Sequence, residues 1–211
     1  MSSVRTPTRT FRYLALGDSY TIGTGASGPA QSFPSRLARR LERGTRVRVE
    51  VTNPAVNGFT TEDLIRRELP LLEKLRPDLV TILIGANDVV QGRSEAAYRA
   101  SLVRIYDAVA DLRLPAGRVW CISVPDWSAA PAAAGFGAPA QIRRRLSQVN
   151  AIAREEADRR GFGWVDLFEL SRTGLDTPGW VAGDGLHPGD RQYLAWADHI
   201  WRDLGPAWKA A

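Results

Sequence analysis

The chain has 211 residues, a length that suits one domain and is sufficient to bury a full core. A hydrophobic fraction of 44% and a charged fraction of 24% exclude a wholly disordered chain. Lys and Arg outnumber Asp and Glu by 28 to 23, and a net charge of +5 draws anionic partners only where the basic residues cluster.

Segment 1–10 is polar and threonine-rich and reads as a flexible N-terminal segment, with residues 11–211 forming a single domain. The first apolar run, 11–16, is interrupted by Arg12 and is too short for the centre of a signal peptide or for a bilayer span, so a cytoplasmic protein without a membrane span is expected. The same run reads as the first strand and stops at Gly17-Asp18-Ser19. Ser32-Phe33-Pro34 opens a helix with a serine cap and a proline in the first turn, running to Gly44. Residues 46–51 alternate basic or acidic with valine, the period of a strand with one wet face, which predicts an edge strand.

Residues 53–61 carry Pro54, Asn57 and Gly58 and read as a loop, and Thr60 or Thr61 can cap the helix that follows. Pro70 should break that helix before it resumes over 71–75. Residues 79–84 form the most hydrophobic run, as a central strand covered on both faces requires. Tyr98, Leu102, Ile105, Val109 and Leu112 then recur at helical spacing, and a fourth strand is expected at 119–124. The stretch 125–139, rich in alanine, glycine and proline, reads as a long loop that either rims the site or is an insertion without a ligand role.

A helix over about residues 140–160 ends at Gly161, a short fifth strand occupies 163–167, and a last helix spans about 190–204. Arg143-Arg144-Arg145 is the densest basic run, but it shares its helix with an apolar face of Ile142, Leu146, Val149 and Ala153. No aromatic side chains interleave with the arginines, so a solvated face is expected and no nucleic-acid partner. Strand and helix alternate throughout, which predicts an α/β fold, a three-layer sandwich with a parallel sheet.

A strand ending on Gly-Asp-Ser puts the Ser19 hydroxyl at the carboxyl edge of such a sheet, where open α/β folds hold their ligands. Taken alone, a serine after a strand is more often an ordinary turn or helix-cap residue than a nucleophile. The two histidines narrow the search for a general base. On the last helix Leu194, Ala197, Trp201 and Leu204 define a face that His199 opposes, so His199 is expected in solvent. His187 lies in the loop Asp184-Gly185-Leu186-His187-Pro188, where a tight turn can bring the Asp184 carboxylate to the ring. Ser19 N–H, Gly58 N–H and the Asn87 side chain are candidate donors to a developing oxyanion. Cys121 is the only cysteine and sits in an apolar run, which reads as a buried, inert thiol. No set of residues has metal-ligand spacing, and neither metal nor organic cofactor is expected.

The pattern resembles the SGNH hydrolase family, the GDSL-like lipases and esterases. The matching elements are Gly17-Asp18-Ser19 with Gly23 and Gly25, the 53–58 loop, Gly85-Ala86-Asn87-Asp88 and Asp184-Gly185-Leu186-His187-Pro188. The departures are Tyr20, where leucine is common, and Ala55, where many members carry glycine. The resemblance implies a flavodoxin-like sheet of five strands in the order 2-1-3-4-5. It further implies Ser19 as nucleophile, Gly58 and Asn87 as oxyanion donors beside the Ser19 N–H, and His187 as base supported by Asp184. The expected activity is hydrolysis of a small-molecule, lipid or carbohydrate ester through an acyl-enzyme. An acyltransferase would use the same residues, and a non-catalytic carbohydrate or lipid binder is a further alternative. A nucleotide-binding protein is another, because residues 23–28 spell G-x-G-x-x-G, although they begin six residues after Gly17.

Overall fold

The computed structural model describes residues 9–210; residues 1–8 of the expected N-terminal segment lie outside the described residues. Five parallel strands form one sheet in the order β2-β1-β3-β4-β5: β1 Arg9–Gly17, β2 Val47–Thr52, β3 Leu79–Leu83, β4 Val119–Ile122 and β5 Gly163–Val165. This is the α/β sandwich and strand order expected. β1 starts two residues earlier than the hydrophobic run suggested, because Arg9 and Thr10 pair with Val47 and Arg48 although their side chains face solvent. Backbone pairing rather than hydrophobicity sets that boundary.

β3 is buried at every position and lies between β1 and β4, so both of its faces need apolar side chains, and Leu-Val-Thr-Ile-Leu supplies them. Its one polar side chain, Thr81, is satisfied by the Tyr13 hydroxyl at 2.7 Å. β2 is an edge, and its alternating exposure matches the alternating sequence.

Among the described residues the α-helices are α1 Ser19–Ile22, α2 Phe33–Gly44, α3 Thr61–Arg67, α4 Leu71–Leu75, α5 Ala86–Val90, α6 Glu95–Ala110, α7 Pro139–Arg159 and α8 Asp190–Lys209. α2 packs against α8, and α6 packs between α3 and α7. Pro70 separates α3 from α4 as expected, and Thr60 begins α3 with a capping box in which Asp63 answers its hydroxyl. Ser32 stands at the α2 cap position but donates its hydroxyl to Pro29 O at 2.9 Å instead of capping the helix.

α8 departs from expectation in two ways. It continues through Pro206 to Lys209, because Trp208 is fully buried and meets Tyr13 edge-on with centroids 5.0 Å apart. Burial of an indole outweighs the missing N–H. Its buried face comprises Tyr193, Trp196, Ala197, Ile200, Leu204 and Trp208, whereas Leu194 is exposed, so the core stripe is rotated from the one read in the sequence. His199 is accordingly half-buried, 3.5 Å from an Arg202 nitrogen, and not free in solvent.

Arg143 and Arg145 of the basic run are likewise tied inward. Arg143 bonds the buried Asp126 and the exposed Glu169, and Arg145 donates to Arg93 O at 2.9 Å. Cys121 is fully buried, and burial pushes its thiol up to about 12, in keeping with an inert side chain. Among the described residues, no helix is long and apolar enough to cross a membrane.

Candidate active site

The sheet order reverses between β1 and β3, since the chain leaves β1 for β2 on one side and returns to β3 on the other. The carboxyl ends of these two strands therefore open a crevice. The turn after β1 carries Ser19 and the turn after β3 carries Asn87.

At the first turn the backbone approaches its neighbours closely. A Cβ on Gly17 would lie 2.2 Å from Thr21 Oγ1 and 2.3 Å from Leu83 O, so only glycine fits between β3 and the first turn of α1. Asp18 caps α1 and accepts the Tyr20 N–H at 3.0 Å. Ser19 opens the helix and is 6% exposed, and its own N–H belongs to a first helical turn with no intrahelical acceptor.

The second block follows β2. Thr24 Oγ1 donates to Asn57 Oδ1, which ties the loop after α1 to the turn that holds Gly58. The Asn87 side-chain amide donates to Phe59 O at 2.9 Å. One of its two hydrogens is thereby used to fix the side chain, and that bond leaves the other unused. Next to it Asp88 accepts the Thr61 N–H at 3.0 Å and the Thr61 hydroxyl at 2.6 Å. The turns holding Gly58 and Asn87 are thus tied together although 29 positions separate the two residues in the sequence.

Asp184 Oδ2 stands 2.6 Å from His187 Nδ1, while Asp184 Oδ1 accepts the N–H groups of Leu186 and His187, each at 2.9 Å. Burial acts to raise this carboxyl, but the Leu186 N–H, the His187 ring and the His187 N–H outweigh it and hold it below the usual carboxylate range. An ionised Asp184 fixes the proton on Nδ1 and leaves Nε2 as the acceptor. The loop is framed on both sides. Ala182 N–H donates to His187 O at 2.8 Å, and Val181 bridges to Pro188. Gly25, at φ 87°, lets this loop come close: a Cβ there would lie 2.6 Å from Pro188 O and 3.1 Å from His187 Cβ. The G-x-G-x-x-G stretch therefore packs against the histidine loop, and the 3-10 turn Pro29–Gln31 follows it instead of a helix opening directly from a strand, which is not a dinucleotide-binding geometry.

Ser19, Gly58, Asn87 and His187 all line one cleft of about 210 Å³. Asp184 stands behind the ring, so every site residue expected from the sequence is brought to this place. The remaining wall is largely apolar: Tyr20, Ala86, Val90, Trp127, Phe136 and Leu186. Tyr20 lies between the His187 and Trp196 rings, with centroids 5.8 Å from each.

The stretch 125–139 forms part of this wall. It contains the 3-10 helix Pro131–Phe136, and Trp127 meets Phe136 edge-on at 5.5 Å. Asp126 anchors its start: the buried carboxylate accepts the Ser128 N–H at 3.0 Å, bonds Arg143 and stands 3.3 Å from Arg172. Val90 and Leu186 escaped the sequence reading. Val90 lies one helical turn beyond Asn87, a spacing that could have pointed to it.

A family model described as the GDSL-like Lipase/Acylhydrolase family matches residues 15–195. A lipase of Streptomyces rimosus is 28% identical over 192 residues, 74% of this chain and 69% of that protein. An arylesterase of Vibrio mimicus is 34% identical over 102 residues, 47% of this chain and 49% of that protein. Among solved structures, a family 3 carbohydrate esterase of Clostridium thermocellum superposes with a TM-score of 0.74 at 18% identity, covering 95% of this chain and 98% of that one, a likeness of fold.

Proposed function

This chain belongs to the GDSL-like Lipase/Acylhydrolase family and is a carboxylic ester hydrolase, and from that premise we propose an acyl-enzyme mechanism on Ser19. The observation that carries the reading is the shared cleft, lined by a serine at the entry of a helix, a histidine backed by a carboxylate, and two further donors from other loops.

Ser19 Oγ attacks the ester carbonyl carbon as His187 Nε2 takes its proton. The carbonyl oxygen becomes an oxyanion, held by the Ser19 N–H, the Gly58 N–H and the Asn87 amide. Asp184 stabilises the imidazolium, which then gives its proton to the departing alcohol as the C–O bond breaks. Water enters, loses a proton to His187 and attacks the acyl-enzyme carbonyl; the proton returns to Ser19 Oγ and the acid is released. The substrate of this reading is a small-molecule, lipid or carbohydrate ester whose reacting carbonyl enters the largely apolar cleft.

The test is hydrolysis of p-nitrophenyl esters by the wild type and by Ser19→Ala and His187→Ala, each checked for native folding. Both variants are expected to lose activity to near background. A folded Ser19→Ala protein with the wild-type rate would overturn the assignment.

A further inference from the structure

Glu68 has no part in the chemistry above, yet it lies behind the nucleophile. It caps the C-terminal end of α3, its side chain is fully buried, and its Oε2 accepts the Gly17 N–H at 3.0 Å. The opposite end of α3 begins directly after Gly58 and Phe59, and it is tied to the Asn87 turn through Phe59 O and through Thr61 to Asp88. One seven-residue helix therefore joins the nucleophile turn to both other oxyanion donors.

The Asp18 carboxyl is also fully buried, one position from Gly17. Each of the two acids has one oxygen satisfied by a backbone N–H, and in each the other oxygen, Asp18 Oδ2 and Glu68 Oε1, has no protein partner. A buried carboxyl oxygen without a donor is tolerated far better on a neutral, protonated acid than on a carboxylate.

Resting on the reading of Ser19 as nucleophile, we propose that Glu68 is a positioning residue for ester hydrolysis: it clamps α3 to the nucleophile turn, and it does so as the protonated acid. Burial pushes Glu68 up to about 8, and the Asp18 charge adds to this against the Gly17 N–H. Burial likewise pushes Asp18 up to about 7, with Asp88 adding to it. The other groups facing this pair do not neutralise it. Asp88, from α5, is bonded to Thr61 and is 3.4 Å from Arg93 Nε. Tyr98, from α6, donates its hydroxyl to Ile84 O, and Tyr20 and Tyr193 stand near Asp18 with burial raising both phenols well above their usual range. Loss of the Glu68 proton puts a buried negative charge beneath the turn that must stabilise an oxyanion, so kcat falls on the alkaline side.

The experiment compares wild type, Glu68→Leu and Glu68→Gln by kcat and KM across pH, and by melting temperature across pH. Glu68→Leu leaves the Gly17 N–H buried without an acceptor and is expected to lower kcat about tenfold with KM little changed. Glu68→Gln, whose amide oxygen can accept from Gly17 and whose side chain carries no titrating proton, is expected to recover most of that loss and to lack the alkaline decline. The melting temperature supplies a readout independent of activity. Glu68 stays protonated in the folded chain to a higher pH than in the unfolded chain, so wild-type stability falls relative to Glu68→Gln as pH rises from about 5 to about 8.5. An unchanged alkaline decline in Glu68→Gln, a melting difference that stays flat over that range, or a folded Glu68→Leu with wild-type kcat overturns the proposal. If the wild type hydrolyses no ester at any pH, the ester-hydrolase mechanism fails first, and the melting comparison still judges the protonated state of Glu68 by itself.

Discussion

Asp184→Asn is a near-isosteric change at a carboxylate that makes contacts on both of its oxygens. Oδ2 faces His187 Nδ1 at 2.6 Å, and Oδ1 accepts two backbone N–H groups at 2.9 Å. An asparagine can satisfy only one side. With its oxygen kept on the backbone N–H groups, its amide donates to Nδ1, the ring proton moves to Nε2, and the base is lost. With the amide turned over, the ring keeps its tautomer, but two N–H donors face an NH2 group and the loop that presents the ring loosens. A hydrogen bond to a charged group contributes about 1.5–3 kcal/mol, which corresponds to roughly 10- to 150-fold in rate when it is needed only for the imidazolium state. Asp184 is 44% exposed and His187 18%, so water partly replaces the lost carboxylate, and the expected loss lies within that range. The assay is steady-state hydrolysis of a short p-nitrophenyl ester, with kcat down about 100-fold and KM nearly unchanged. A wild-type kcat in a folded Asp184→Asn protein would refute the reasoning, because it would mean that the ring needs no fixed tautomer.

Three further outcomes are expected. Asn87→Ala should lower kcat on the order of 100-fold with little change in KM, measured by the same assay, since an oxyanion donor acts mainly in the transition state. Gly17→Ala should leave little folded protein by circular dichroism, because its Cβ would meet the Leu83 carbonyl and the Thr21 hydroxyl well inside contact distance. Asp63→Ala should cost about 1 kcal/mol in urea unfolding through loss of the capping box. The Thr60 hydroxyl chiefly, with the Thr60 N–H and Arg66, holds the Asp63 carboxyl down to about 2, so this contribution is present above the ordinary carboxylate range and is lost as pH falls towards 2.

Much of the architecture was legible because it depends on period and punctuation. The continuous run at β3, the alternation at β2 and Pro70 between α3 and α4 each report a local constraint, and the structure keeps all three. Ser19, Gly58, Asn87 and His187 of the cleft were legible because each falls in a short motif at a strand end or helix entry. What escaped depends on contacts that no local pattern encodes. Trp208 extends α8 past a proline only because Tyr13 lies across from it. The stretch 125–139 looked like a long loop, yet Asp126 with two arginines and the Trp127–Phe136 pair give it fixed packing. Glu68 gave one faint signal, an acid one helical turn after the buried Leu64 on the same face, and its meaning emerged only when Gly17 appeared beside it.

The central claim is that a bond forms at Ser19 Oγ. Treatment with a fluorophosphonate ester, followed by mass spectrometry of the digested protein, tests it directly. The expected result is a single phosphonyl adduct on the peptide containing Ser19, slowed in His187→Ala and absent from Ser19→Ala. An unmodified Ser19 in a protein that still hydrolyses esters would contradict the account.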